Sequence, residues 1–107
     1  MSQKNLPGTA QYIADHHPEV WEAYEQLGKA VANAGPLDTR TVHLVKIASA
    51  IAQRSEGATH SHVRRAREAG ISKDEIRHVS ILLTPTIGFP QAMAGRTWIE
   101  DVLTKEA

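Results

Sequence analysis

The sequence predicts an all-α fold, a single compact domain of about five helices spanning residues 1–107, with residues 1–16 as an N-terminal arm. Three observations lead there. Apolar residues recur three and four positions apart, which lines one face of a helix, and no segment sustains the alternation of a strand. The breaks between these segments hold glycine or proline, the residues that stop helices. Ser72 and Glu75 form an S-x-x-E capping box flanked by Ile71 and Ile76, the clearest helix start in the chain.

In order along the chain, the first twelve or so residues, with Pro7 and Gly8, read as an irregular arm that Tyr12 and Ile13 could anchor. A first long helix begins near Pro18, because proline suits the first helical turn, where its missing N–H is not needed. Val20, Tyr24, Leu27 and Val31 give it an apolar face, and Gly35-Pro36 stops it. The second helix takes Asp38 as N-cap, with Leu37 and Val42 spaced as a hydrophobic staple. It runs through LVKIASAIAQ to about Arg54 and is apolar or small almost all round, the pattern of a heavily buried helix. Gly57 breaks it, and HVRRAREA makes a short third helix ended by Gly70. The fourth helix follows the capping box and carries Ile76, Val79, Ile81, Leu82 and Leu83 before TPTIGFP interrupts it, with Pro85 expected either to kink or to end it. A fifth, from about Pro90 to Thr104, carries Met93, Trp98, Ile99, Val102 and Leu103.

Composition excludes several function classes. Twelve basic residues balance twelve acidic ones, so there is no general attraction to nucleic acid or anionic membrane. No apolar run is long enough to span a bilayer, and MSQKNLPGTA lacks the apolar core of a signal peptide, so a cytoplasmic protein is expected. The absence of cysteine rules out disulfides, zinc–thiolate sites and thiol redox chemistry.

The chemistry-bearing stretch is SEGATHSH, Ser55 to His62, followed by an arginine-rich run. His62, placed at the start of the third helix, would be kept neutral by the positive end of the helix dipole, and a neutral imidazole is the form a general base needs. Glu56 precedes His60 by four residues and can pair with it on a helical turn. His60 and His62 are two apart and should diverge by about half a turn, so they are not expected to share a metal. His43 is a polar residue on an otherwise apolar helix and needs a partner. Ser55 is either a turn residue or, with an imidazole in reach, a nucleophile. Arg64 and Arg67 are three apart and can share a face, while Arg65 points elsewhere. An arginine there can hold a carboxylate through two parallel hydrogen bonds. His78 faces either the same pocket or solvent. Phe89, Met93 and Trp98 read as core or subunit-contact residues.

SEGATHSHVRRAREAG, followed by the capped helix and TIGFPQAMAG, resembles the carboxymuconolactone decarboxylase family, which includes the alkylhydroperoxidase D-like proteins. The resemblance covers roughly residues 18 to 104 and implies a helical fold that assembles into trimers or hexamers. In the peroxidase branch the machinery is a Glu on the buried helix, a C-x-x-C at its end and a His four residues beyond. By that resemblance the Glu position falls at His43, the two cysteine positions at Ser55 and Ala58, and the histidine is retained as His62. Serine and alanine can neither attack a peroxide as a thiolate nor resolve a sulfenic acid, so thiol peroxidase activity is not expected. The decarboxylase branch needs neither cysteines nor a cofactor, and works by proton transfer on a small carboxylated lactone.

The resulting expectation is a cofactor-free acid–base enzyme of decarboxylase or lyase type, acting on a small carboxylated lactone or related organic acid as a homo-oligomer. His62, Glu56 and His43 are the catalytic candidates, with Ser55, His60, Arg65 and His78 as substrate-binding candidates. Two alternatives stand beside it. One is a metal protein using His43 and His62, with Glu56 as a third ligand. The other is a silent relative that binds small molecules or serves assembly.

Overall fold

A computed structural model describes residues 6 and 8–106, and six helices are formed among them: α1 (Gly8–His16), α2 (Pro18–Ala32), α3 (Thr39–Ala52), α4 (Glu56–Glu68), α5 (Lys73–Ile87) and α6 (Phe89–Leu103). No strand occurs among the described residues. The chain divides into two compact units, Met1–Leu37 and Asp38–Ala107.

In the first unit, α1 forms where an irregular arm was expected, while the arm's residues 1–5 and Pro7 lie outside the described residues. The local interactions explain the helix. The Tyr12 ring stacks on His16 with centroids 4.1 Å apart, and Gln11 donates to Asp15 at 2.9 Å, both four residues apart on one face. Helix α2 starts at Pro18 as expected and ends in a turn at Asn33, whose backbone N–H reaches the Lys29 carbonyl at 3.2 Å. Trp21 is buried and lies against Tyr24 at 5.5 Å between ring centroids. The stripe predicted for α2 is real but faces outward: Val20, Tyr24, Leu27 and Val31 are each more than half exposed.

The second unit packs α3, α4, α5 and α6 around one core, in which Ile47 and Ile51 of α3 meet Val63 and Ala66 of α4, Ile76 and Val79 of α5, and Ile99 and Leu103 of α6. The starts of α3 and α5 are capped as the sequence indicates. Asp38 accepts from the Thr41 N–H at 2.8 Å, and Ser72 and Glu75 complete the reciprocal box. Helix α3 is less buried than its composition indicated. Ile47, Ala50 and Ile51 are buried, while Val45 is half exposed, because a single chain supplies neighbours on only part of its circumference.

Two boundaries differ from the sequence reading. Helix α4 begins at Glu56, six residues before His62, because Ser55 caps it by accepting from the Ala58 N–H at 3.2 Å. Gly57 is therefore helical. The break falls one turn earlier, at Arg54, which takes the left-handed conformation (φ 60°) so that the Ser55 N–H can close onto the Ala50 carbonyl at 3.0 Å. Gln91 of α6 secures this turn, donating to the carbonyls of Ile51 and Ala52 at 3.1 and 2.8 Å and accepting from Arg54 at 3.2 Å. Pro85 does not end α5, which continues to Ile87. It sits in the last turn, where one missing hydrogen bond is tolerable, and Gly88 (φ 97°) makes the corner into α6 instead.

Gly95 lets α6 approach α3. A Cβ there would stand 2.5 Å from Cγ2 of Ile51, a fully buried side chain. Gly95→Val should therefore destabilise the protein by about 1–3 kcal/mol, the usual scale of overpacking. A chemical-denaturation midpoint unchanged from wild type would contradict this.

Candidate functional site

Helix α4 is held against the core by Thr59, Val63 and Ala66, which are all buried. Thr59 satisfies its hydroxyl by donating to the Ser55 carbonyl at 2.8 Å. With that stripe inward, the helix turns one flank to α3 and the other to α6, and the candidate residues divide between them.

On the α3 side, His62 and Arg65 of α4 stand within electrostatic range of His43 and Lys46 of α3. On each helix the two residues are three apart and so lie on one face. His62 is half-buried, and its pKa is lowered to about 4, first by burial and then by the positive charges of Arg65, Lys46 and His43. The His43 pKa is lowered in the same direction, first by burial and then by Lys46 and Arg65. Both imidazoles are thus neutral at physiological pH within a positive field. The cause differs from the one expected, because His62 sits in the second turn of α4 and is not at the helix start. Lys46 was missed in the sequence. Its only signal was its spacing of three from His43 on an apolar helix.

On the α6 side, His60 Nε2 lies 3.0 Å from Oδ2 of Asp101 and 3.9 Å from Oε2 of Glu56. Glu56 thus stands with His60, and His60 and His62 diverge as their spacing requires. In the metal reading with His43 and His62, Glu56 was the third ligand, and the fold places it on the opposite flank of α4 from them. A groove of about 450 Å³ runs along this side, bounded by Arg64 and Arg67 of α4 and by Val102 and Lys105 at the end of α6. Arg67 is occupied by Glu106, its Nε and Nη2 donating to that carboxylate at 2.8–3.1 Å.

Ser55 is the cap of α4, with its hydroxyl oxygen accepting from Ala58. His78 is exposed and lines an apolar groove of about 390 Å³ between α3 and α5, with Leu44, Val45, Leu82 and Leu83. Phe89 is exposed, while Met93 and Trp98 are partly buried.

Between pH 6.5 and about 4 the unfolded chain binds a proton at His62 that the folded chain does not, so stability should be complete above pH 6.5 and decline as pH falls through that window. An NMR titration should find the His62 imidazole neutral down to about pH 4 in wild type, and protonating at higher pH in Arg65→Met and Lys46→Met. A His62 midpoint near 6.5 in wild type would show that neither burial nor the positive field acts on it.

No helix among the described residues is long and apolar enough to cross a membrane. Comparison with curated proteins finds no match. The model of the carboxymuconolactone decarboxylase family matches residues 18–101, from the start of α2 almost to the end of α6, including both imidazoles and the Gly88-Phe89-Pro90 corner. That span is well over half of the chain, and the protein belongs to the carboxymuconolactone decarboxylase family.

Proposed function

We propose that the protein is a cofactor-free acid–base enzyme of decarboxylase or lyase type, acting on a small carboxylated lactone or a related organic acid. The observation that carries this reading is the half-buried His62 held neutral among Arg65, Lys46 and His43. Arg65 and Lys46 would hold the substrate carboxylate, Arg65 through two parallel hydrogen bonds and Lys46 as a point charge. His62 would carry the proton, and His43 would pass or orient it.

The positive field has a consequence for timing. With the site empty, burial and then the field keep His62 deprotonated. An anionic substrate cancels part of that field, so His62 becomes more basic when there is a proton to move. Loss of carbon dioxide from the bound acid leaves an electron pair on carbon, and the imidazolium formed with substrate present returns a proton to that carbon. The same imidazole can instead move a proton between carbon and oxygen of a lactone ring. Cysteine peroxidase chemistry is not available, since the chain has no cysteine and Ser55 caps a helix.

The same proposal includes a homo-oligomer, a trimer or a hexamer, with a small molecule as ligand and neither nucleic acid nor membrane as partner. Its support is the outward stripe of α2 and the exposed Val45, Ile81, Leu82 and Phe89, apolar side chains that neighbouring subunits would cover. Light scattering at micromolar concentration should report at least three chains per particle, and a monomer would refute the assembly.

A panel of lactones, keto acids and related carboxylates should yield a substrate whose turnover falls about a hundred- to ten-thousand-fold in His62→Gln, the usual cost of losing a positioned acid–base group. In Arg65→Met the loss should appear mainly in KM. His62→Gln turning over at the wild-type rate while remaining folded would overturn the reading.

A further inference from the structure

The geometry points to a divalent transition-metal site, with zinc(II) as its ion, formed by Glu56 and His60 of α4 and Asp101 of α6. One donor atom from each side chain lies within 4.8 Å of the other two. Zinc ligands at about 2.0–2.2 Å stand about 3.3 Å from one another in a tetrahedral site, so short side-chain rotations close this triangle around an ion. Glu56 and His60 share a face because they are four residues apart, and the packing of α4 on α6 brings Asp101 opposite them.

The hydrogen bonding on its own engages one of the two carboxylates and leaves the other to solvent. His60 Nε2 faces two carboxylates and has one hydrogen to give. Asp101 at 3.0 Å takes it, and Glu56 at 3.9 Å is beyond hydrogen-bond reach. A cation at the centre satisfies both carboxylates at once. The imidazole then offers the Nε2 lone pair and carries its proton on Nδ1.

The surrounding charges permit this. In the adjoining groove Arg64, Arg67 and Lys105 are matched by Glu68, Asp101 and Glu106, so Glu56 leaves the region one negative charge in excess. His60 and Asp101 both line the groove, which leaves room for water as a fourth ligand and gives the open coordination of zinc sites that polarise a water or a carbonyl. The site lies on the opposite flank of α4 from His62 and stands independently of the acid–base reading.

Calorimetry on the full chain, stripped with a chelator and titrated with zinc chloride alone in a non-coordinating buffer, tests it. One ion per chain should bind, with affinity falling as pH is lowered, and zinc should raise the thermal midpoint. Glu56→Gln, His60→Gln and Asp101→Asn should each weaken binding at least tenfold. Glu56 is the safest of these, because its side chain is 59% exposed and its loss should leave the fold intact by circular dichroism. The double variant His16→Gln/His17→Gln, which removes an adjacent pair of exposed histidines, should bind as wild type does. Absence of saturable binding, equal affinity in wild type and Glu56→Gln, or loss of binding in the His16/His17 variant would each overturn the site.

Discussion

The rotation of α4 about its own axis is the constraint on which the rest of the site depends. Thr59, Val63 and Ala66 are buried together, and once that stripe is inward no freedom remains in where the flanking residues go. His62 and Arg65 must turn to α3, and Glu56, His60, Arg64 and Arg67 to α6. The Ser55 cap and the left-handed Arg54 fix where the helix begins, and Gln91 holds that turn from α6. Thr59 is the polar member of the stripe and loses nothing by burial, because its hydroxyl is bonded to the Ser55 carbonyl.

Two chemistries follow from this single orientation. The α3 flank gathers positive charge around neutral imidazoles, an environment that raises the local concentration of small anions. The α6 flank places carboxylates around an imidazole and pairs arginine with glutamate. Arg77 bonds Glu100 through Nε and Nη2 at 2.7 and 3.0 Å and ties α5 to α6, as Arg67 and Glu106 tie α4 to the chain beyond α6. These carboxylates are held below their ordinary pKa by the arginine hydrogen bonds, so the ties persist well below neutral pH. With Arg67 and Arg77 engaged in this way, Arg65 is the α4 arginine that stands with the imidazoles.

The first unit follows a different rule. Helix α2 has good local signals and a regular apolar stripe, yet the stripe is exposed in the single chain. Periodicity says that a face is apolar. It does not say what covers it.

By itself the sequence determined the helical class, most helix starts and the chemistry it lacks. Asp38, Ser72 with Glu75, and Pro18 act within a turn of themselves, so their signals are complete in a few residues. The absence of cysteine is equally final. The start of α4 was legible in principle, since Ser55 is a good cap, but Gly57 hid it by resembling a break. The helical arm was missed because its stacking and side-chain bonds are individually weak signals. Tertiary structure decided the grouping of the site. His43 and Lys46 come beside His62 and Arg65, and Asp101 beside His60, across helices, and sequence spacing carries no information about which faces of two helices will meet. That choice was made by the burial of Ile47, Ile51, Val63, Ala66 and Ile99, because the core is the largest free-energy term and the polar residues take the positions it leaves them.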